Sequence, residues 1–319
     1  MSEVEIVALV ERRRRWVCGW LRFVTHGDGS VACAGMRAQN GEVSLNVRVD
    51  GDDGAPPLLL LHGILGCAET WDWMVPRVAD RYRVFRLDFR GHGDSDRAAG
   101  RYKAADYVAD AAAVCEQLAG RPVAVVGHSL GGGTAAGLAQ TRPDLVRGAV
   151  LEDAPFVDPT ADTVGASDNS LWESFRLLRE SIPQVQAAGM TAEQLVPVIA
   201  MSPYAGGGTL GDLIHDDGLL TMAMGMARVD ATVLDPVLAG ELTPVHDPLQ
   251  PIDRPIVAVA ADPAMPDALT RQSDLERLAA RCPHVATHTL LGANHLIHDT
   301  DGQREPFWAI VEGFLADLA

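Results

Sequence analysis

The chain has 319 residues, 47% of them hydrophobic and 22% charged, with a formal net charge of −17 and a pI near 4.9. That length and composition fit an ordinary globular protein with a sizeable core, and the acidity argues against non-specific nucleic-acid binding and against docking on anionic lipid. No apolar run is long enough for a membrane span, and the scattered cysteines (Cys18, Cys33, Cys67, Cys115, Cys282) contain no C-x-x-C pair, which points to reduced thiols in a cytoplasmic protein.

Residues 1–40 do not match the pattern that follows and read as an appendage. Arg12 to Arg15 precede a short apolar stretch, Trp16 to Leu21, in the manner of an export leader. Arg22, His26 and Asp28 interrupt that stretch, so a solvated basic segment is the preferred reading. From residue 41 the chain becomes regular. Ser44 to Val49 alternates polar and apolar, the mark of a half-exposed strand. Leu58 to Leu61 is a continuous apolar strand of the kind buried on both faces, and it runs into His62-Gly63-Ile64-Leu65-Gly66. A helix is expected near Trp71 to Ala79, a strand at Arg83 to Leu87, and a polar loop from Asp88 to Asp96. Helical spacing covers Tyr107 to Leu118, followed by a strand at Val123 to Val126 and a helix through Ala139. Arg147 to Leu151 is the next strand, ending in Glu152-Asp153.

The alternation stops between about Phe156 and Arg254. Three helices are expected there, over Leu171–Ala187, Ala192–Ala200 and Leu219–Arg228. The pattern resumes with strands at Pro255–Ala260 and Val285–Leu290 and helices at Ser273–Arg281 and Pro306–Leu318. Strands alternating with helices predict an α/β core with a mostly parallel central sheet and helices on both faces. The core is assigned to 41–155 and 255–319, and 156–254 to an inserted helical cap.

The chemistry centres on Gly127-His128-Ser129-Leu130-Gly131. A strand precedes this G-x-S-x-G and a helix follows it, the context in which the serine sits on a sharp turn with its hydroxyl exposed. Serine becomes a nucleophile only with a base beside it and an acid to orient that base. No His/Cys/Asp/Glu group has metal-ligand spacing, and neither metal nor cofactor is called for. Cys67 reads as a small buried hydrophobe.

Four stretches together resemble the α/β-hydrolase fold superfamily, in its serine-hydrolase, helically capped form. They are His62 to Gly66, Asp88 to Ser95, Gly127 to Gly131, and Gly292-Ala293-Asn294-His295. The resemblance implies Ser129 as nucleophile, His295 as base and Asp262 as orienting acid. Asp153 and Glu152, after the strand that follows the elbow, are the alternative acids, and His298 competes with His295. It implies an oxyanion hole from the backbone N–H groups of Ile64 and Leu130, with His62 and the Asp88–Ser95 loop as supports. The expected reaction is hydrolysis of a carboxylic ester or related acyl bond through an acyl-enzyme, with a small apolar acyl compound as substrate. Met222, Met224, Met226, Trp172 and Phe175 either pack the cap or line its pocket. Carbon–carbon bond hydrolysis or lactone opening on the same triad, and a non-catalytic ligand receptor, are the alternatives.

Overall fold

Alternate residues of a β-strand face opposite sides of the sheet, and the central strands here are apolar on both. The computed structural model describes residues 35–155, 169–241, 247 and 250–318. The Arg12–Arg15 segment, with the rest of residues 1–34, lies outside them. Eight strands form one sheet: β1 (Met36–Asn40), β2 (Val43–Asp50), β3 (Pro57–Leu61), β4 (Arg83–Leu87), β5 (Val123–His128), β6 (Val146–Glu152), β7 (Ile256–Ala260) and β8 (Val285–Thr289). Their order is β1-β2-β4-β3-β5-β6-β7-β8, with β1/β2 and β2/β4 antiparallel and every other pair parallel. The mostly parallel sheet expected from the sequence is therefore present. The strand β1 lies inside the segment set apart as an appendage, and it pairs in register with β2 from Met36↔Val47 to Asn40↔Val43.

The helices sort onto the two faces as the alternation requires. Leu59, Leu61 and Val125 face one layer, against α1 (Ala104–Val114), α2 (Leu130–Thr141) and α6 (Gln272–Arg281). Leu58, Leu60 and Val126 face the other, against Trp71, Met74 and α7 (Arg304–Asp317). Between β6 and β7 the insertion contributes α3 (Ser170–Ala187), α4 (Ala192–Ala200) and α5 (Asp216–Arg228), with its own small core of Leu195, Ile199, Ile214, Leu219 and Ala223.

The insertion is tied down by charge as well as packing. Arg228 of α5 pairs with Glu69, which is 2% exposed and also bound by Arg48. Gly225 of α5 lies so close to the loop after β3 that a Cβ there would come within 2.1 Å of the Leu65 carbonyl oxygen. Cys67, Cys115 and Cys282 are buried thiols. Among the described residues no helix is long and apolar enough to cross a membrane.

Candidate active site

In an open parallel sheet, the loops beyond the carboxyl ends of the strands form the natural ligand crevice. Here the loops after β3, β5, β6 and β8 carry Gly63 to Gly66, Ser129, Asp153 and His295. Three non-glycine residues among those described have positive φ: Leu65 at 67°, Ser129 at 51° and Asp153 at 37°. Each stands on one of these loops. Such backbone costs about 1–3 kcal/mol per residue and persists where the surroundings over-determine it.

The turn at Ser129 is made possible by glycine. A Cβ on Gly127 would lie 2.3 Å from the Gly131 carbonyl oxygen, and one on Gly131 would lie 2.3 Å from that of Leu61. The Ser129 N–H donates to the Glu152 carbonyl at 2.8 Å, which fixes the serine to the end of β6. Leu130 is the first residue of α2, and the first amides of a helix have no intrahelical acceptor. Ile64 lies in the turn closed by Gly66 N–H donating to the Gly63 carbonyl at 3.0 Å. A Cβ on Gly63 would lie 3.3 Å from Ser129 Cβ, so this turn runs directly against the serine.

Two neutral histidines hold that turn. His92 Nε2 accepts the Leu65 N–H at 3.2 Å while its Nδ1 donates to the Arg90 carbonyl at 2.9 Å. His62 Nε2 accepts the Phe89 N–H at 3.2 Å, with Nδ1 donating to the Gly63 carbonyl at 2.7 Å. Burial drives their pKa values down, to about 4 for His62 and about 3 for His92. Asp88 accepts the Ala68 N–H at 2.6 Å and the Asp94 N–H at 3.1 Å, joining the loops after β3 and β4.

His295 is buried, with Nδ1 donating to Asp153 Oδ2 at 2.7 Å. Burial alone would lower its pKa. The hydrogen bond and charge of Asp153, with the charges of Asp267 and Glu152, outweigh burial and leave it raised. Asp153 is held in turn by main-chain donors: Oδ1 accepts from Ala261 (3.3 Å) and Thr270 (3.0 Å), Oδ2 from Leu269 (2.9 Å). All three donors belong to the end of β7 or the loop after it.

The carboxylate that meets His295 is thus Asp153, one of the two alternative acids, and Asp262 is engaged elsewhere. Asp262 Oδ1 accepts the Ala264 N–H at 2.8 Å and Oδ2 the Gly292 N–H at 2.7 Å. Those two amides hold its pKa down. The first bond is a local Asx-type turn two residues on. It folds the carboxylate onto its own loop and leaves Asp153 as the partner of His295. The other alternative acid, Glu152, is engaged by the other candidate histidine: His298 Nδ1 lies 2.7 Å from Glu152 Oε1.

Two residues with no sequence signal of their own join the site. His128 Nε2 donates to the His295 carbonyl at 3.0 Å, with the two rings 4.8 Å apart, and burial keeps it neutral. Asp267 accepts the Tyr204 hydroxyl at 2.7 Å and faces the His295 main chain. Burial raises the Asp267 pKa. Trp172 and Phe175 stack edge to face at 5.7 Å on α3, partly buried.

Residues 56–192 match the family described as alpha/beta hydrolase fold. The chain is 28% identical over 265 residues to a 2-(acetamidomethylene)succinate hydrolase of Mesorhizobium japonicum, covering 82% of this chain and 89% of the relative. It is also 28% identical over 278 residues to a protein of Rhodobacter capsulatus named as the magnesium-chelatase 30 kDa subunit, covering 83% and 89%. Among solved structures, that of an E-2-(acetamidomethylene)succinate hydrolase superimposes with a TM-score of 0.67 at 22% identity, covering 88% of this chain and 98% of that one.

Proposed function

We propose that this chain, whose residues 56–192 match the alpha/beta hydrolase fold family, is a serine hydrolase cleaving an uncharged ester or lactone through an acyl-enzyme. The observation that carries this reading is the Asp153–His295 pair at 2.7 Å, in a fold that also holds Ser129 at φ 51° on a strand-to-helix turn. Ser129 Oγ attacks the carbonyl while His295 Nε2 takes its proton. Asp153 keeps the Nδ1 proton in place and stabilises the imidazolium as it forms. The N–H groups of Ile64 and Leu130 receive the developing oxyanion. His295 then returns its proton to the leaving oxygen and activates the water that releases the acid. The helical insertion is read as the cap over this site.

Charge supports the choice of an uncharged substrate. Asp153, Glu152 and Asp267 all act on His295. The arginines on the insertion's helices are committed to carboxylates: Arg176 to Glu173, Arg179 to Asp235, and Arg228 to Glu69 and Asp94. A succinate derivative, the substrate in the name of one relative, would bring further negative charge to that environment. The test is labelling with a fluorophosphonate and turnover of a panel pairing neutral p-nitrophenyl esters and lactones with succinate hemiesters. Labelling lost in Ser129→Ala and a preference for the neutral members are the expected results. A wild-type protein that neither labels nor turns over any member sinks the hydrolase reading.

A further inference from the structure

Glu152 and Asp153 are consecutive at the end of β6, and each meets a different histidine of the same short loop. Asp153 receives His295. Glu152 receives His298 twice, from the ring Nδ1 (2.7 Å to Oε1, 2.9 Å to Oε2) and from the main-chain N–H (2.8 Å to Oε1). Both side chains of this second pair are 0% exposed. The same Glu152 accepts the Ser129 N–H through its carbonyl, so one residue touches both the turn that bears the serine and the loop that bears His295.

The protonation state of His298 follows from what faces its other nitrogen. Nε2 is buried, has no hydrogen-bond partner and lies 3.5 Å from Asp299 Oδ2. A neutral ring with its proton on Nδ1 would aim the Nε2 lone pair at a carboxylate oxygen, acceptor against acceptor. A proton on Nε2 turns that opposition into an ion contact. The ring is stacked on Trp71 (4.9 Å between centroids, 29°), a flat contact that opposes any reorientation. Beyond Asp299, Arg304 donates to its Oδ1 at 2.9 Å and to Asp217 of α5 at 2.7 Å. The groups therefore alternate in sign from Glu152 through His298, Asp299 and Arg304 to Asp217.

We propose that His298 is an imidazolium through neutral pH, clamped between Glu152 and Asp299, and that this second acid–histidine pair positions the first and sets its basicity. Glu152 fixes the loop that carries His295. The His298 charge offsets the Glu152 charge, which would otherwise add to that of Asp153 and bind the His295 proton too tightly for a base. The other groups facing His295 are Asp267 from the loop after β7 and neutral His128 from β5. Arg304 is the further charge acting on His298. Burial works against a charged His298, but Glu152 and Asp299 together outweigh it and its pKa stands raised.

The proposal rests on His295 acting as the base, and the experiment separates the two ideas. The acidic limb of the pH–rate profile for Ser129 phosphonylation is compared in wild type, Glu152→Gln and His298→Asn. Glu152→Gln removes a negative charge and moves the limb to lower pH. His298→Asn leaves Glu152 uncompensated and moves it to higher pH. Each shift is expected to be about half to one unit, or about three- to tenfold in rate at fixed pH on the limb. A merely structural pair would lower Tm in both variants and leave the limb in place or move it the same way in both, which overturns the proposal. If His298→Asn does not fold, nitrogen NMR of the wild-type imidazoles decides the matter. Protons on both His298 ring nitrogens at pH 7 support the proposal, and a single proton refutes it. That measurement needs no turnover. A doubly protonated His298 in a protein whose Ser129 never reacts would refute the hydrolase reading and leave the charged pair standing.

Discussion

Replacing Asp153 by Asn changes one atom and, by the geometry around it, should disable the site. Each Asp153 oxygen accepts two bonds: Oδ1 from Ala261 and Thr270, Oδ2 from Leu269 and His295. An Asn that keeps its oxygen on the Ala261 and Thr270 side turns its NH2 against one amide N–H and against His295 Nδ1. The imidazole must then carry its proton on Nε2, where it cannot accept one from Ser129. The flipped Asn preserves the tautomer but opposes two amide donors instead of one, at roughly 1–3 kcal/mol each. The first arrangement therefore dominates. Loss of the correct tautomer in a serine triad costs about 10⁴ in rate, or about 5.4 kcal/mol in the barrier. We expect Asp153→Asn to lower kcat/KM for p-nitrophenyl butyrate by about three to four decades and to lose about 1–3 kcal/mol of stability in urea melts. Asp262→Asn, whose side chain serves only the Ala264 and Gly292 amides, should stay within about threefold of wild type. A collapse in Asp262→Asn beside a nearly normal Asp153→Asn would refute the assignment.

Ser129→Gly should lose all phosphonate labelling yet melt higher than Ser129→Ala, by about 1 kcal/mol, because glycine relieves the backbone at φ 51°; equal stability of the two variants would show that the turn is unstrained. The neutral burial of His92 predicts acid sensitivity with a definite sign. Its folded pKa of about 3 lies below the unfolded value of 6.5, so its contribution is complete above pH 6.5 and is lost as pH falls toward 3. Between pH 7 and pH 5 that loss is about 2 kcal/mol, and in His92→Asn the difference in urea stability between the two pH values should shrink by about that amount. Arg228→Met leaves the buried Glu69 with Arg48 as its remaining cationic partner and should cost about 2 kcal/mol, read as a lower Tm; an unchanged Tm would mean that Arg48 suffices as counter-charge.

The parallel strands were legible because apolar runs of strand length leave little choice. Leu58–Leu61 and Pro255–Ala260 differ from Pro57–Leu61 and Ile256–Ala260 by a residue at one end. Met36–Asn40 carries no such pattern. It is a strand because β2 offers it an edge, and an edge is a property of the sheet. The elbow glycines and the Gly-x-x-His of the last loop were readable for a similar reason, since their backbone needs that residue type locally. The choice between Asp262 and Asp153 was not local. Both follow strands, and what separates them is three amides converging from a segment more than a hundred positions away. The pairing of Glu152 with His298 and the contact of Asp267 with Tyr204 depend likewise on how loops meet. No spacing in the sequence encodes them.

The cradle of Asp153 has a consequence for how freely this protein can diversify. The loop after β7 serves the Asp153 carboxylate through main-chain N–H groups, and a peptide N–H is the same whichever side chain stands beside it. Leu269 can in principle become any residue except proline, which alone lacks the donor. The segment that folds over His295 is thereby released from coding for chemistry, and its side chains are open to selection by whatever molecule the site receives.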